Sequence, residues 1–155
     1  MHNFEQMAGE WRGTNRLFLV WLENPEFVSD STLRAEVTGG GKFLEVHYTW
    51  SHEGKAHEGT LLCAGDAKTG EGTAGWVDSW HSSASVMSFK GTVTPFSVKG
   101  SYSAGEGPDW YWRISLGLDG GKLRMTMENI MPDGQEMPAV VAEYERAAEM
   151  RKGAH

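Results

Sequence analysis

The sequence predicts an all-β fold, a single closed antiparallel barrel of about ten strands. Apolar and polar residues alternate along almost the whole chain, and turn-forming residues interrupt the alternation at short intervals. The 20 Gly and 7 Trp suit a chain of many turns with large aromatic side chains in its core. Strands joined by short links must be antiparallel neighbours, because a parallel crossover needs about a dozen residues or more. A twisted sheet of this size is expected to close on itself, which removes its exposed edges.

The predicted elements follow one another without a linker or an internal repeat. The segment HNFEQMAG at 2–9 predicts one short helical turn before the first strand. Nine turns then separate the ten strands, at 22–26, 38–42, 52–55, 66–71, 81–84, 94–95, 104–109, 119–122 and 132–135. All residues, 1–155, are expected to form one domain, with the ordered barrel spanning about 9–147.

Charge and cysteine content exclude several classes of partner. The formal net charge is -7, so the chain has no basic stripe to neutralise phosphates, and a nucleic acid is not expected. No apolar run is long enough to span a membrane, and the N-terminus lacks the pattern of a secretory signal, so no membrane partner is expected. Cys63 is the single cysteine, which favours a reducing, cytoplasmic location.

Turn geometry predicts which side chains face the interior of the barrel. A two-residue hairpin loop at 53–54 places Trp50 opposite His57. The same register puts Tyr48 on the face that carries Trp50. This face is apolar further along both strands, so it is expected to point inward, whereas His47 on the alternate face points outward.

The next hairpins extend this inner face. A four-residue loop after the fourth predicted strand places Asp78 and Trp80 on the inner face, with Trp80 opposite His57. The loop expected at 81–84 then places Met87 across from Asp78. The two hairpins therefore agree on one inner surface.

A second inner patch comes from the strands near the end of the chain. Trp112 is expected to pair with Asn129, which in turn pairs with Pro138. On the outer face Arg113 falls opposite Glu128, where an exposed ion pair contributes about 0–1 kcal/mol. That pair is interpreted as structural.

The histidines do not predict a metal site. His47, His52 and His57 are close in sequence, but alternation sends His47 outward and His57 inward, and His52 falls at a turn. Zinc requires convergent ligands, so no metal is expected. His81 is expected in a solvated turn.

A family resemblance rests on four segments: GEWRG at 9–13, GKFLEVHYTW at 41–50, the run 57–83 and MPDGQEMPAVVAEYER at 131–146. They resemble a widespread, mainly bacterial family known as a domain of unknown function, with a lipocalin-like (calycin) barrel similar to that of fatty-acid-binding proteins. The most specific part of this resemblance is the turn at residues 65–70 together with the segment at residues 76–79. The resemblance covers nearly the whole chain, and it implies the fold without implying an activity.

The two ends of the chain carry a lipocalin-like signature. Gly9, Glu10 and Trp11 form a G-x-W motif, and Arg146 lies in the last predicted strand. In lipocalin-like barrels an Arg from the final strand lies over such a Trp at the closed end. The resemblance therefore implies that Trp11 and Arg146 are in contact, with a cation–π energy of roughly 0.5–2 kcal/mol.

A more distant resemblance is to nitrobindin, a haem-binding barrel that also begins with G-x-W-x-G, here Gly9–Gly13. Nitrobindin takes its iron-ligating His from a late strand, whereas residues 122–146 of this chain contain no His. Haem would have to use His57 in a different arrangement, so no cofactor is expected.

The predicted inner face indicates a ligand pocket. Its wall is expected to contain Tyr48, Trp50, His57, Trp76, Asp78, Trp80, Met87 and Trp112. Aromatic rings supply contact area, and the two ionisable groups would fix the orientation of a ligand. The leading interpretation is a cytoplasmic barrel that binds a small hydrophobic or aromatic molecule. A barrel filled by its own side chains is the alternative.

Two other interpretations stay open. The chain also resembles lipocalin-like decarboxylases and isomerases, in which case His57 and Asp78 would act as an acid–base pair. A structural role is the other, because apolar residues on both faces of the segment 17–21 favour a homodimer.

Overall fold

The computed structural model describes residues 4–147, and residues 1–3 and 148–155 lie outside this range. Within it a short helix, α1 (Phe4–Met7), precedes ten strands that close into one antiparallel barrel. The strands are β1 (Gly9–Phe18), β2 (Glu26–Thr38), β3 (Phe43–His52), β4 (Lys55–Gly65), β5 (Glu71–Asp78), β6 (Met87–Val93), β7 (Phe96–Tyr102), β8 (Trp110–Asp119), β9 (Lys122–Ile130) and β10 (Glu136–Arg146). The predicted fold class is confirmed, and the expected domain over 1–155 extends past the described residues at both ends.

The barrel is closed by the pairing of its first and last strands. Each strand pairs with its neighbours in sequence, and β1 also pairs with β10, from Trp11 opposite Arg146 to Leu17 opposite Val140. The loops after β1, β3, β5, β7 and β9 therefore lie at one end of the barrel, which we call the open end. The helix α1 lies at the other, the closed end.

The closed end is held by the predicted pair of Trp11 and Arg146. Trp11 is 1% exposed, and the guanidinium carbon of Arg146 lies 4.2 Å from the centroid of its indole ring. The indole Nε1 donates a hydrogen bond to the carbonyl of Met7 at 2.9 Å. Arg146 also donates to the carbonyls of Gln6 and Ala8, each at 2.6 Å. The contact implied by the lipocalin-like signature is thus present, and it ties α1 to the last strand.

Apolar side chains fill the barrel from the closed end upward. Phe4 of α1 packs its ring edge against Phe96, with 5.9 Å between the ring centroids. Above these rings the inward positions of the strands form one buried cluster that includes Leu44, Leu61 and Ile114, each fully buried. This part of the barrel is a packed core.

Two of the predicted registers are confirmed in full. Trp50 lies opposite His57 in the β3–β4 ladder, and the loop at 53–54 has positive φ at both positions, as a tight hairpin turn of this length requires. Trp112 lies opposite Asn129 in the β8–β9 ladder. Arg113 lies opposite Glu128, and their side chains form an ion pair at 2.8 Å.

The observed register between β5 and β6 differs by two residues from the one that the turn pattern predicts. Met87 pairs with Trp76, and not with Asp78 as expected. The strand β5 ends at Asp78, so Trp80 lies in the following turn and does not pair with His57. The loop spans 79–86, longer than the four residues expected, because the turn begins at Asp78.

One irregularity shifts β10 against β9. The register changes between Pro138 and Val140, so Met137 pairs with Asn129 where Pro138 was expected. Proline lacks the backbone donor that a regular ladder position uses, which explains the break at this point.

The strand β1 ends at Phe18, earlier than the sequence pattern suggested. Val20, Trp21 and Leu22 therefore lie in the loop after β1, with 44%, 73% and 42% of their surfaces exposed. The expected apolar strand over 17–21 is present at Leu17 and Phe18 and is wrong beyond them, because residues 19–21 belong to the loop at the open end. Among residues 4–147, no helix has the length and apolar character that a membrane crossing requires.

Candidate functional site

A buried carboxylate organises the open end of the barrel. Asp78, the last residue of β5, is 3% exposed and accepts four hydrogen bonds from described residues. The hydroxyl of Tyr48 and the indole Nε1 of Trp50 donate to its Oδ2, at 2.7 and 3.3 Å. The backbone N–H groups of Trp80 and His81 donate to its Oδ1, at 2.8 and 3.0 Å. A buried charge is costly unless it is paired in this way, so Asp78 fixes the groups around it.

The tyrosine in this network links the carboxylate to the aromatic wall. The indole Nε1 of Trp76 donates a hydrogen bond to the hydroxyl oxygen of Tyr48 at 2.9 Å. Burial, together with the charge of Asp78, raises the pKa of Tyr48 well above its ordinary value. Tyr48 therefore stays protonated and keeps donating to Asp78, while it accepts from Trp76.

The turn after β5 explains why the strand stops where it does. The backbone N–H of Ser82 donates to the carbonyl of Asp78 at 2.9 Å, and the backbone N–H of Asp78 donates to the hydroxyl of Ser82 at 3.0 Å. An aspartate side chain that accepts from the backbone two and three residues later is a common start of a turn. The turn directs the side chain of His81 back toward the barrel.

His81 occupies the centre of the aromatic wall. Its ring centroid lies 5.6 Å from that of Trp50, 5.8 Å from Trp76, 4.8 Å from Trp80 and 5.3 Å from Trp112. The expectation of a solvated His81 is wrong, because the Asp78 turn folds this residue inward. His81 is the main site residue that the sequence analysis missed.

Burial keeps the imidazole of His81 uncharged. It lowers the pKa from the ordinary 6.5 to about 4, with Asp78 opposing the shift and His57 adding to it. No hydrogen bond joins either ring nitrogen of His81 to another residue within the described range. A neutral imidazole has one donor and one acceptor nitrogen, so the ring of His81 can donate one hydrogen bond to a neighbouring molecule and accept one from it.

This pKa gives the stability a pH dependence of known sign. The unfolded chain takes up a proton at His81 near pH 6.5, whereas the folded chain resists protonation down to about pH 4. The contribution of His81 to stability is therefore complete above pH 6.5 and is lost as the pH falls toward 4.

We expect His81→Phe to flatten the rise of the urea midpoint with pH over this window. His47→Gln, which changes a histidine that bonds to Thr60 on the outer face, should leave the rise unchanged. An equal effect of the two variants would contradict the assignment.

A cleft of about 710 Å³ lies beside this wall. The ladder between β6 and β7 ends at Lys90 opposite Lys99, three residues before the open end of each strand. The cleft is lined by residues of these strand ends, of the 79–86 loop and of β5 and β8: Trp76, His81, Ser82, Ser83, Ser85, Val86, Met87, Ser88, Ser101, Tyr102 and Trp112. Sites for small molecules commonly have volumes of about 300–1,000 Å³, so this cleft has a suitable size.

Two stacked indoles form part of the cleft wall. The rings of Trp76 and Trp112 are nearly parallel, with an interplanar angle of 14° and 5.6 Å between centroids. Trp112 is 7% exposed, and its buried Nε1 has no hydrogen-bond partner among the described residues. Nearby, the hydroxyl of Tyr102 donates to the side-chain oxygen of Asn129. Trp112 thus contributes its ring, and not its buried N–H group, to the lining of the cleft.

The structure divides the predicted site residues into three groups. Trp76, Met87 and Trp112 line the cleft. Tyr48, Trp50 and Asp78 lie behind it, in the hydrogen-bond network that holds His81. The remaining two, His57 and Trp80, pack against Trp50 at the rim.

The proposed acid–base pair of His57 and Asp78 is not formed. The Nδ1 atom of His57 shares a hydrogen bond with the hydroxyl of Ser79 at 3.0 Å, and its ring packs 4.9 Å from that of Trp50. Both oxygens of Asp78 are occupied by other donors. Trp80 is 37% exposed, so it forms less of the wall than expected.

No group of three or more His, Cys, Asp or Glu side chains in residues 4–147 is arranged to hold a metal ion. Cys63 is fully buried in the core, and burial raises the pKa of its thiol above the ordinary value.

The chain is similar to a protein family of unknown function and to a solved structure. A family model described as a protein of unknown function (DUF1579) matches residues 1–146. The crystal structure of Rv2717c from M. tuberculosis is similar, with a TM-score of 0.63 and 15% sequence identity over 92% of this chain and 93% of that chain. At this identity the likeness shows the fold alone. No curated protein matches the sequence.

Proposed function

We propose, for a chain that belongs to the DUF1579 family of unknown function, that the barrel binds a small aromatic or otherwise largely apolar molecule in the cleft beside Trp76 and Trp112. The observation that carries the proposal is the contrast between the two halves of the barrel. Side chains fill the closed end, whereas the open end leaves a cleft against rings held in fixed positions.

The aromatic wall is preorganised for binding. Trp76 is held by its hydrogen bond to Tyr48, and the turn that carries His81 is held by Asp78. A ligand that packs on these rings does not have to order them first, which removes one of the usual costs of association. Buried aromatic side chains also supply most of the binding energy in many sites.

The chemistry of the lining favours binding over catalysis. Among the described residues that line the cleft, none is a carboxylate, and the nearby Asp78 uses both oxygens within the fold. The serine hydroxyls of the lining can accept or donate hydrogen bonds at the edge of a ligand. This composition matches a pocket with an apolar wall and a few polar groups that set orientation.

A substitution that fills the cleft tests the proposal. Met87 is half-buried and lines the cleft, so Met87→Trp should place a bulky ring where the ligand packs. With the neutral fluorophore prodan as probe, we expect a blue-shifted emission on binding to the unmodified protein. Met87→Trp should weaken the affinity by about tenfold or more, a loss of about 1.4 kcal/mol.

The matched control is Met131→Trp, at a half-buried methionine in the turn after β9 that does not line the cleft. This variant should bind prodan as the unmodified protein does. Failure of prodan to bind the unmodified protein, or equal weakening by both variants, would count against a ligand site at this position. Native mass spectrometry of protein purified from its own host would then show the mass of any molecule that co-purifies.

A further inference from the structure

An uncharged strip of outer surface runs along β4 and β5. The side chains of Leu61 and Cys63 on β4 and of Trp76 on β5 belong to the buried core, so the alternate positions on these strands face outward. The outward positions are uncharged over three successive rows of the ladder: Thr60 opposite Val77, Leu62 opposite Gly75, and Ala64 opposite Thr73. We call these six residues the neutral strip.

Apolar side chains are exposed on the neutral strip and at its edges. Leu62 lies at its centre and is 47% exposed. Val86, just before β6, is 69% exposed and lies over the outer side of Gly75. Phe43, opposite Ala64 in the β3–β4 ladder, is 37% exposed. Exposed apolar side chains grouped on one face are typical of a surface that a protein partner covers.

The strands on either side of the neutral strip carry opposite charges. Glu45 lies beside the strip on β3, and Lys90 lies beside it on β6. The next strands repeat these signs, because Glu36 on β2 lies opposite Glu45 and Lys99 on β7 lies opposite Lys90. The outer surface therefore changes from an acidic flank, through the neutral strip, to a basic flank.

Two further charges lie near these flanks and do not remove the asymmetry. Glu71 lies 3.9 Å from Lys90, but both side chains are more than half exposed, and such a pair contributes about 0–1 kcal/mol. Lys90 can therefore exchange Glu71 for another carboxylate at little cost. Arg34 lies on β2, one strand further from the neutral strip than Glu45.

We propose that the neutral strip is the contact face of a homodimer whose two-fold axis runs parallel to β4 and β5. This axis brings the strips of two copies together and sets the acidic flank of each copy against the basic flank of the other. Glu45 then faces Ser88 of the second copy, and Lys90 follows about 7 Å along that strand, a distance that the two long side chains can span. An axis across the strands would instead set Glu45 against Glu45.

The width of this contact indicates a weak dimer. Neighbouring strands lie about 4.8 Å apart, so the surface from β3 to β6 is about 14 Å wide. A contact of this width belongs at the lower end of specific interfaces, which bury less than about 1,200 Å² in total. We therefore expect a dissociation constant on the order of 10–100 µM. The segment 17–21, on which the sequence-based expectation of a homodimer rested, lies outside this surface.

Sedimentation equilibrium of the full chain at low salt tests the dimer. The mass should rise from that of one chain toward that of two as the concentration rises from about 10 to about 500 µM. Leu62→Glu places a charge near the axis, where it meets the same charge on the second copy, and should weaken association by about tenfold or more. The matched control Val28→Glu adds the same charge at an outward position on β2 that is 61% exposed and lies outside the strip. This control should associate as the unmodified protein does.

Exchanging the two flanking charges tests the orientation of the copies. Glu45→Lys raises the net charge of -7 by two units, and Lys90→Glu lowers it by two units. General repulsion between acidic copies would make the first variant associate more tightly and the second more weakly. The proposed pairing predicts that each variant alone weakens association by about threefold or more, because it brings like charges together. The double variant keeps the original net charge and should recover to within about twofold of the unmodified protein.

Each outcome bears on a separate part of the proposal. The mass of a single chain at about 500 µM would overturn the homodimer. A dimer that Leu62→Glu leaves intact would show that another face makes the contact. A double variant that associates as weakly as the single variants would overturn the pairing of the two flanks. Circular dichroism verifies that every variant is folded. The substituted residues do not line the cleft, so these results are independent of the proposed binding function.

Discussion

Trp11→Ala is expected to lower the free energy of unfolding by about 3–5 kcal/mol, the range for removing a large buried aromatic side chain. Trp11 is 1% exposed and supports α1 through the bond from its Nε1 to the carbonyl of Met7. Its loss also leaves the guanidinium of Arg146 without the indole face at 4.2 Å. Urea unfolding followed by far-ultraviolet circular dichroism measures the change without depending on tryptophan emission.

Two further variants serve as controls for the loss of stability in Trp11→Ala. Trp21→Ala removes the same side chain from a position that is 73% exposed, and it should change stability by less than about 0.5 kcal/mol. Arg146→Ala removes the cation and its bonds to two carbonyls but leaves the indole packed, so its effect should be smaller than that of Trp11→Ala. Equal effects of the two tryptophan variants would show that closure at this end does not depend on Trp11.

Asp78→Asn is expected to cost about 2–4 kcal/mol and to abolish tight binding of prodan. The carboxylate accepts from side chains on one oxygen and from the backbone of the turn on the other. An amide has one acceptor oxygen, so its NH₂ group must face two of these donors and leave them unpaired. Removing a buried charge offsets part of this cost. The turn would no longer hold His81 in place, which is why binding should be lost together with stability.

The control for this variant is Asp66→Asn. Asp66 also accepts from the backbone two and three residues later, at Lys68 and Thr69, but its turn is exposed to solvent. Its effect on stability should be much smaller, and prodan binding should be unchanged. Both measurements are made below the unfolding transition of each variant, with the folded fraction taken from circular dichroism. Normal prodan affinity in folded Asp78→Asn would contradict the role of Asp78 in positioning His81.

Part of the fold could be predicted in detail from the sequence, because a short turn fixes the register of the two strands that it joins. The loop at 53–54 has the length that sets a hairpin register, and the β3–β4 ladder follows it from His52 opposite Lys55 onward. The β8–β9 ladder, with Ile114 opposite Met127, was predicted in the same way. In both cases one short turn and strict alternation determine which side chains face inward.

The candidate site was only partly predictable, because its arrangement depends on contacts between distant segments. The inner positions of Trp76 and Trp112 follow from alternation, but the inward position of His81 follows from a turn that begins at Asp78. The pattern Asp-Ser-Trp-His-Ser at 78–82 contains a signal for that turn, since aspartate often starts one. This signal is hidden when Trp80 is assigned to the strand and not to the turn. Alternation alone could not show that the oxygens of Asp78 accept from Tyr48 on another strand.

The pairing of β1 with β10 has a consequence for how the chain folds. All other neighbouring strands of the described barrel are consecutive, so each pair can form as a local hairpin with a short loop. Joining the first strand to the last closes a loop of nearly the whole chain, which carries the largest entropic cost and is expected to come last. During synthesis, the edges of β1 and β9 therefore stay unpaired until β10 leaves the ribosome. In that interval the nascent chain is most exposed to strand addition by a second copy, and the clamp of Arg146 on α1 forms only when the interval ends.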